Sequence, residues 1–555
     1  MHTNRLVLFL LLISLTNASR AQNWSWAKSG TVTHTTESSF GSGVSADHSG
    51  NLYAVGYYGS PTLALASVTL SNNGANGDDF FIVKYDVNGS ISWAKSFGGT
   101  GNDEAYGVST DVHGNVYITG TFDSPTITLG TSTFSNAGGQ DLFLMKLDKN
   151  GNVIWARTYG GSGSDVSNFV GTDSRGKPFI TGQFTSHFLH FGSTILVDTT
   201  VQTQPFVVRL DTAGNILWAR TATGTGGGNG NFGAAACADT ASNLFVAGGF
   251  AFSTLHLGTD SVLNSGVTNM FLAKFDSVGN VIWIRAAGGA NEDAATGVGA
   301  DGYGNVFVCG SFNSPSIAFG TSVLTNAGNS DIFIAKYGPD GSSKWAAGTG
   351  GTGIDQAKSI GVDQNGYAYL CGSFGSPSID FGNGSLVDNG TLNLFLAEYS
   401  PIGIPLWSKS SGGSASDYAL SACTDASGNG YIAGYFNSSS VSFGGTTLVA
   451  TGISNMLVAK IAGITGIELY STAINEMNAY PNPVEDLLTF RFKDPENTSG
   501  FVVLYNSLGQ ETKRIAFSEA TSISISVEYL SKGVYFYSVL DSERRTMARG
   551  KVIKL

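Results

Sequence analysis

From residue 24 to residue 461 one pattern of hydrophobic and polar positions recurs. Short alternating apolar runs are bounded by Gly, Asn and Asp, and no stretch sustains a 3.6-residue period, so the segments read as strands rather than helices. In one unit the runs AYGVSTD (105–111), NVYITGTF (115–122), DLFLMKLD (141–148) and NVIWARTY (152–159) predict four strands, a to d. Strand d carries a tryptophan in every unit: Trp26, Trp93, Trp155, Trp218, Trp283, Trp345 and Trp407, spaced 62 to 67 residues apart. An Asp-x-x-Gly turn joins a to b at Asp47, Asp111, Asp173, Asp301 and Asp425, and a similar turn joins c to d at Asp86, Asp148, Asp211 and Asp276. The Asp side chain caps such a turn, and Gly supplies the positive φ that closes it. No Asp-x-Asp-x-Asp-Gly loop is present, so turn capping rather than calcium binding accounts for these acids.

Four-stranded antiparallel units repeated at this period predict a β-propeller. The ends of the repeat set the number of blades. The chain enters with a lone strand d at 24–29 and leaves with strands a, b and c from Tyr418 to Ile461. Joined, they complete a seventh blade and close the ring, which removes exposed sheet edges. An open solenoid would not need complementary half-units at its ends. The expected fold is therefore all-β: a seven-bladed β-propeller of four-stranded blades closed by an N-terminal strand, then a small C-terminal β-sandwich.

Composition changes twice along the chain. Leu6–Leu15 is a ten-residue apolar run after Arg5, and Ser19-Arg20-Ala21 places small residues at −3 and −1 of a cleavage point before Gln22. This predicts a signal peptide over 1–21. Ten helical residues rise about 15 Å against roughly 30 Å of hydrocarbon, too short for an anchor, and no later run is apolar enough to span. The second change comes near residue 475. Residues 22–475 carry 17 Lys+Arg, 31 Asp+Glu and 71 Gly, whereas 476–555 carry 10, 10 and 4. The expected organisation is signal peptide 1–21, propeller 22–461, linker 462–479 and C-terminal domain 480–555. The net charge of −12 argues against nucleic acid. Four Cys in 555 residues do not make a disulfide scaffold.

The repeat resembles the bacterial β-propeller repeat family of extracytoplasmic proteins, on GNVYITGTF (114–122), GNVFVCGSF (304–312) and GNGYIAGYF (428–436). The resemblance implies fold and an extracytoplasmic address, and no particular activity. The C-terminal part resembles the sorting domain of the Bacteroidetes type IX secretion system. The matching pieces are Tyr480-Pro481-Asn482-Pro483, LYNSLGQ (504–510) with Gly509, LSKGVYFYSV (530–539) with Gly533, and KVIKL (551–555). That resemblance implies outer-membrane passage, the secretion machinery as partner, and a mature protein at the outer-membrane surface or released.

No catalytic signature stands out. Cys309 and Cys371 share a strand-b slot, Cys237 and Cys423 a strand-a slot, without zinc spacing; they read as small buried hydrophobes. His187-x-x-His190 lies in a surface insertion, and the runs GGTG (98–101) and GTGGGNGN (224–231) lack the Lys-Ser/Thr ending and the helix of a phosphate loop. No metal or cofactor is expected. Lys84, Lys146, Arg209, Lys274, Lys336 and Lys460 recur on strand c, and Lys28, Lys95, Arg157, Arg220, Arg285 and Lys409 follow six of the seven Trp. These read as cross-strand pairing, burial of the cation stems against Trp, and edge protection.

Strand order puts the short a–b and c–d turns on one face and the variable d–a loops and b–c insertions on the other. Asp103, Asp165, Asp293, Asp355 and Asp417 recur at one position of the d–a loops. They predict either a carboxylate that orders its own loop or an acidic rim around the channel that attracts cations or a basic partner. The function expected is a noncatalytic secreted or surface binding protein, a monomer with a protein or glycan ligand. The alternative is a secreted carbohydrate-active hydrolase or lyase on the same scaffold.

Overall fold

The computed structural model describes residues 23–74, 77–198, 202–225, 230–463, 478–481, 483–491, 499–506, 511–518, 521–541 and 546–555, and every regular element among them is a β-strand. The expected signal peptide, most of the expected linker, and Asn482 and Gly509 of the sorting motif lie outside the described residues. The chain divides into two compact units, Met1–Gly463 and Ile464–Leu555.

The larger unit holds seven four-stranded antiparallel sheets. One consists of Asp103–Thr110, Val116–Phe122, Asp141–Leu147 and Val153–Tyr159, paired in that order. The first strand of each sheet lies against the first strand of the next, and the last of these, Asp417–Thr424, lies against the first, Ser39–Ala46. The sheets thus form a ring of seven blades. In the seventh blade the outer strand is the N-terminal Trp24–Ser29, which pairs with Asn455–Ile461 and sets Trp26 opposite Lys460.

Each unit contains more than four strands. The stretch between b and c is a two-stranded hairpin, such as Thr126–Leu129 with Ser132–Ser135. Its alternation buries Ile127 and Leu129, and the same pattern of an aliphatic residue two before a Leu or Phe recurs at Leu189/Phe191, Ile317/Phe319 and Val441/Phe443, all buried. The hairpin is short, so each blade keeps its four main strands and carries this pair at the outer strand.

A repeated set of bonds ties neighbouring blades. The indole N–H of Trp93 donates to the Lys149 carbonyl in the c–d turn of the next blade (3.2 Å), and the Lys84 ammonium donates to that same carbonyl (3.2 Å). Trp283 and Lys274 share the Pro339 carbonyl, and Trp345 and Lys336 share that of Pro401. The Lys336 ammonium also lies 4.5 Å from the Phe307 ring centroid and 3.3 Å from Asp301 of its own a–b turn. The strand-c cations are therefore interior ties between blades, not the edge protection expected: strand c is covered by strand d. Blade six shows the rule by exception. Its successor has no c–d turn, because strand c there ends at Ile461 and strand d comes from the N-terminus. No c–d turn carbonyl is present there among the described residues, and Glu398 occupies the Lys slot and accepts the Trp407 indole N–H. Lys460 closes the ring by donating to Val87 O in blade one (3.2 Å).

At the opposite face each seam buries two polar side chains. One begins the innermost strand: Ser39, Asp103, Asp165, Asn231, Asp293, Asp355 or Asp417. The other begins strand c of the preceding blade: Asn455, Asp79, Asp141, Gln204, Asn269, Asp331 or Asn393. Asp103 accepts from Gly99 N–H and the Ser124 hydroxyl, both at 2.6 Å, and from Ser124 N–H. Asp293, Asp355 and Asp417 repeat this set with Gly289/Ser314, Gly351/Ser376 and Gly413/Ser438, and Asp165 binds Ser186 in the same way. The five carboxylates are fully buried. They do not form a solvent-facing acidic rim; each is turned inward by the N–H groups that order its loop.

Asp79, Asp141 and Asp331 each accept a backbone N–H on Oδ2, from Asn73, Ala137 and Ala327. Each Oδ1 is buried without a hydrogen-bond partner among the described residues. Elsewhere the same slot holds an amide, so the site suits a neutral group of this shape. Burial, with the Asp103 carboxylate beside it, pushes Asp79 up to about 6, and burial beside Asp165 does the same to Asp141.

The smaller unit has two sheets around one core. Asn478–Tyr480, Leu487–Arg491 and Ser522–Ser526 form the first, and Ser499–Tyr505, Glu511–Ser518, Gly533–Asp541 and Thr546–Lys554 the second. Val484, Leu488, Phe490, Val502, Leu504, Phe517, Ile525 and Val539 fill the space between them. This is the expected small sandwich. Tyr480 ends its strand, about half exposed, and Gly533 opens another.

Two outcomes follow from the ring and its seams. Trp26 is buried against Tyr85 and Tyr431, so W26A should cost about 3–5 kcal/mol in urea unfolding, and deleting residues 22–30 more still. A loss no larger than that of an ordinary frayed terminus would contradict closure by this strand. For the seam acids, a folded pKa above the unfolded one gives stability that is full below about pH 4 and lost as pH rises through about 6. D79N and D141N should therefore leave stability unchanged at pH 4 and raise it at pH 7.5, each by on the order of 1 kcal/mol after allowance for solvent screening. Thermal melts at the two pH values measure this.

Candidate functional site

The seven innermost strands surround the ring axis, and each carries a bulge at its fourth residue. The register skips Ser42, Tyr106, Asn168, Ala234, Thr296, Lys358 and Leu420 in turn. The bulge explains the glycine two residues before the final aromatic residue of the strand-b motif. Gly56, Gly120, Gly182, Gly248, Gly310, Gly372 and Gly434 face it, and a Cβ at any of them would lie 1.8–2.0 Å from the carbonyl oxygen of the innermost strand's second residue. Backbone contact of that kind excludes every other residue.

Internal comparison of the seven units separates scaffold from candidate site. The ninth position of the innermost segment is Asp in all seven blades, and each of these carboxylates accepts N–H groups of its own turn, as Asp47 does from Ser49 and Asn51 (2.9 and 3.0 Å). The second position, by contrast, holds Phe40, Glu104, Val166, Phe232, Ala294, Gln356 and Tyr418. The fourth, the bulge, holds Ser, Tyr, Asn, Ala, Thr, Lys and Leu. Every chemical class occurs at these two positions, and both lie toward the d–a end of the channel.

Across blades seven, one and two, Phe40, Tyr106 and Tyr418 at these positions join Tyr57 and Tyr435 of the adjacent b strands in an aromatic arc. Tyr418 stacks on Tyr435 (centroids 4.8 Å apart), Tyr435 meets Phe40 edge-on (4.8 Å), Phe40 lies against Tyr57 (4.9 Å), and Tyr57 meets Tyr106 (6.3 Å). All five are partly exposed. Tyr106 donates its hydroxyl to Glu104, whose carboxyl is raised by burial and by the nearby acids Asp78 and Asp123. On the other side Asn168 donates to Gln183 Oε1 (2.6 Å) and Lys358 to Gln356 Oε1 (2.8 Å). A cavity of about 310 Å³ on the axis is lined by the bulge residues, Tyr106 and Lys358 included. Aromatic faces beside a few fixed polar groups can hold a ligand by stacking and hydrogen bonds.

The other sequence candidates are dispersed. Cys309 and Cys371 are buried in neighbouring blades, Cys237 and Cys423 are half-buried, and all four are free thiols; burial pushes Cys309 up to about 12, so it stays protonated near neutral pH. His187 and His190 are exposed on the hairpin of blade three, and His187 Nδ1 meets the Asp198 carbonyl. No group of three His, Cys, Asp or Glu is placed to hold a metal among the described residues, and no described helix is long and apolar enough to cross a membrane. Sequence reasoning missed Glu104, Lys358 and the aromatic arc. The signal was available in the second and fourth positions of the innermost strands, once the seven units are aligned on their turn Asp.

Residues 478–554 match the Secretion system C-terminal sorting domain. Over 388 residues the chain is 24% identical to an uncharacterized WD repeat-containing protein of Acanthamoeba polyphaga mimivirus, which covers 58% of this chain and 28% of that protein. It is also 26% identical over 110 residues to the regulatory protein FlaEY of Caulobacter vibrioides, covering 19% and 12%. The chain thus spans well under a third of the length of these relatives. Among solved structures, a puromycin hydrolase mutant aligns at 10% identity with a TM-score of 0.34, covering 82% of this chain and 58% of that one. The extracellular domain of a putative hybrid two component system from B. thetaiotaomicron aligns at 10% identity with a TM-score of 0.16, covering 96% and 100%. With a ring of sheets in one unit and the matched sandwich in the other, the chain is a β-propeller protein with a type IX secretion C-terminal sorting domain, exported to the cell surface or the extracellular space.

Proposed function

We propose that this protein is a noncatalytic binding protein whose ligand, a glycan or a protein, is taken at the d–a mouth of the propeller channel. One observation carries the reading: within an otherwise repetitive ring, chemical variety is concentrated at the second and fourth positions of the innermost strands. Positions that serve only the fold repeat, whereas a site for an asymmetric ligand must break the sevenfold pattern. Variable residues on a rigid scaffold are where binding concentrates. The seam carboxylates are engaged by their own loops, which supports binding over acid–base chemistry, and the ligand meets a monomer.

F40A combined with Y57A removes the centre of the aromatic arc while leaving the seams intact. Binding measured on a glycan array and by capture of purified surface proteins should fall about tenfold or more, with an unchanged melting temperature. Turnover of a polysaccharide by the wild-type protein, abolished in this variant, would favour the hydrolase or lyase alternative. Export gives a separate outcome. Removing Glu476–Leu555 should leave a folded propeller retained in the periplasm, because the two units have separate cores. Fractionation of cells and medium measures it, and undiminished surface delivery would contradict it.

A further inference from the structure

We infer that the channel takes a carboxylate at Lys358, an inference that rests on the mouth being a binding site. Lys358 is the bulge residue of the sixth blade and the one cation among the seven bulge residues. Its ammonium donates to Gln356 Oε1 at 2.8 Å, and no carboxylate lies within ion-pair distance of it among the described residues. The interior cations of strand c are different. Lys146, Arg209, Lys274 and Lys336 each reach the turn Asp of their own blade.

Burial lowers the Lys358 pKa, and the group that favours its charge is the Cys371 thiol. That thiol is itself raised well above its ordinary value by burial, so near neutral pH it is uncharged and supplies no counter-charge. Desolvating an ammonium without an opposite charge is unfavourable, and the fold does not require it. The same bulge forms with Ser42, Tyr106, Asn168, Ala234, Thr296 and Leu420. A cation that the scaffold does without six times out of seven, lining a cavity of about 310 Å³, is explained by an anionic group that enters that cavity. The volume is at the small end of ligand sites, of a size for one sugar acid or one amino-acid residue. A single ammonium is a compact point charge that matches the single charge of a carboxylate, and no second cation among the described residues lines the cavity to balance the further charge of a phosphate. Thr296, Ser359 and Ser421 line the same space, their hydroxyls bonded to the backbone of the adjacent blade.

The test is titration calorimetry on the full chain with two acid–neutral pairs: methyl glucuronide against methyl glucoside, and N-acetylalanine against its amide. In the wild-type protein at least one acid should bind about tenfold or more tightly than its neutral partner, the scale of one charge-assisted hydrogen bond. The pair that shows the larger preference identifies a sugar acid or a peptide terminus as the source. K358M should abolish that preference without lowering the melting temperature, since Leu420 fills the same slot; K358R should retain it. Equal binding of acid and neutral ligand in the wild type, no binding of either acid, or a preference that survives in K358M would each overturn the inference. Ligand capture at the mouth is read on the F40A/Y57A variant and carboxylate preference on K358M, so either can fail while the other stands.

Discussion

Ring closure is the constraint on which the rest of the propeller depends. Six blades are continuous in sequence, but the seventh joins residues more than four hundred positions apart, Trp26 opposite Lys460. The two ends of the propeller repeat therefore meet inside a sheet, and no blade is left with an unpaired outer strand. The effect reaches beyond the closing blade. Because its c and d strands come from opposite ends of the unit, it has no c–d turn, and the preceding blade must do without the turn carbonyl that serves Trp and Lys elsewhere. Glu398 in place of Lys is the local answer to that missing acceptor. A single substitution in the repeat is thus a consequence of where the chain enters and leaves the ring.

The seams show how a regular fold accommodates polar groups in its interior. On one face a carbonyl accepts from an indole and an ammonium at once, and the ammonium is balanced by a turn carboxylate. On the other face two polar side chains meet in each seam, and where both are acids one is held near neutrality by burial and by its neighbour's charge. Asn in the same slot of three other blades is the uncharged form of the same solution. The ring tolerates either because the requirement is for shape and one accepted N–H, not for charge.

The bulges couple this scaffold to the candidate site. Each bulge takes one residue out of the ladder and obliges its strand-b partner to be Gly. The freed position has no pairing role, so its side chain can vary without disturbing the sheet. Seven such positions around one axis form a surface whose chemistry is independent of the fold beneath it; Tyr106 of the aromatic arc and the cation of blade six are drawn from that freedom, and Phe40, Tyr57, Tyr418 and Tyr435 join them from paired positions beside the bulges.

The amino-acid sequence by itself determined the strands, the turns, the number of units, the half-units at the two ends and the C-terminal sorting motifs, because each of these is a local pattern of period, turn residue or spacing. The hairpin between strands b and c was written there too, in alternating Ile and Phe, but its alternation is only four residues long and reads equally as a loop. Three things needed the tertiary structure. Whether Asp103 and its counterparts face water or the seam depends on the Gly99 N–H and on the N–H and hydroxyl of Ser124, twenty-one positions beyond Asp103 in the chain. Whether strand-c cations guard an edge or bridge blades depends on a carbonyl some sixty-five residues away. And that Phe40, Tyr57, Tyr106, Tyr418 and Tyr435 form one surface follows only from closing the ring, which brings the last blade against the first.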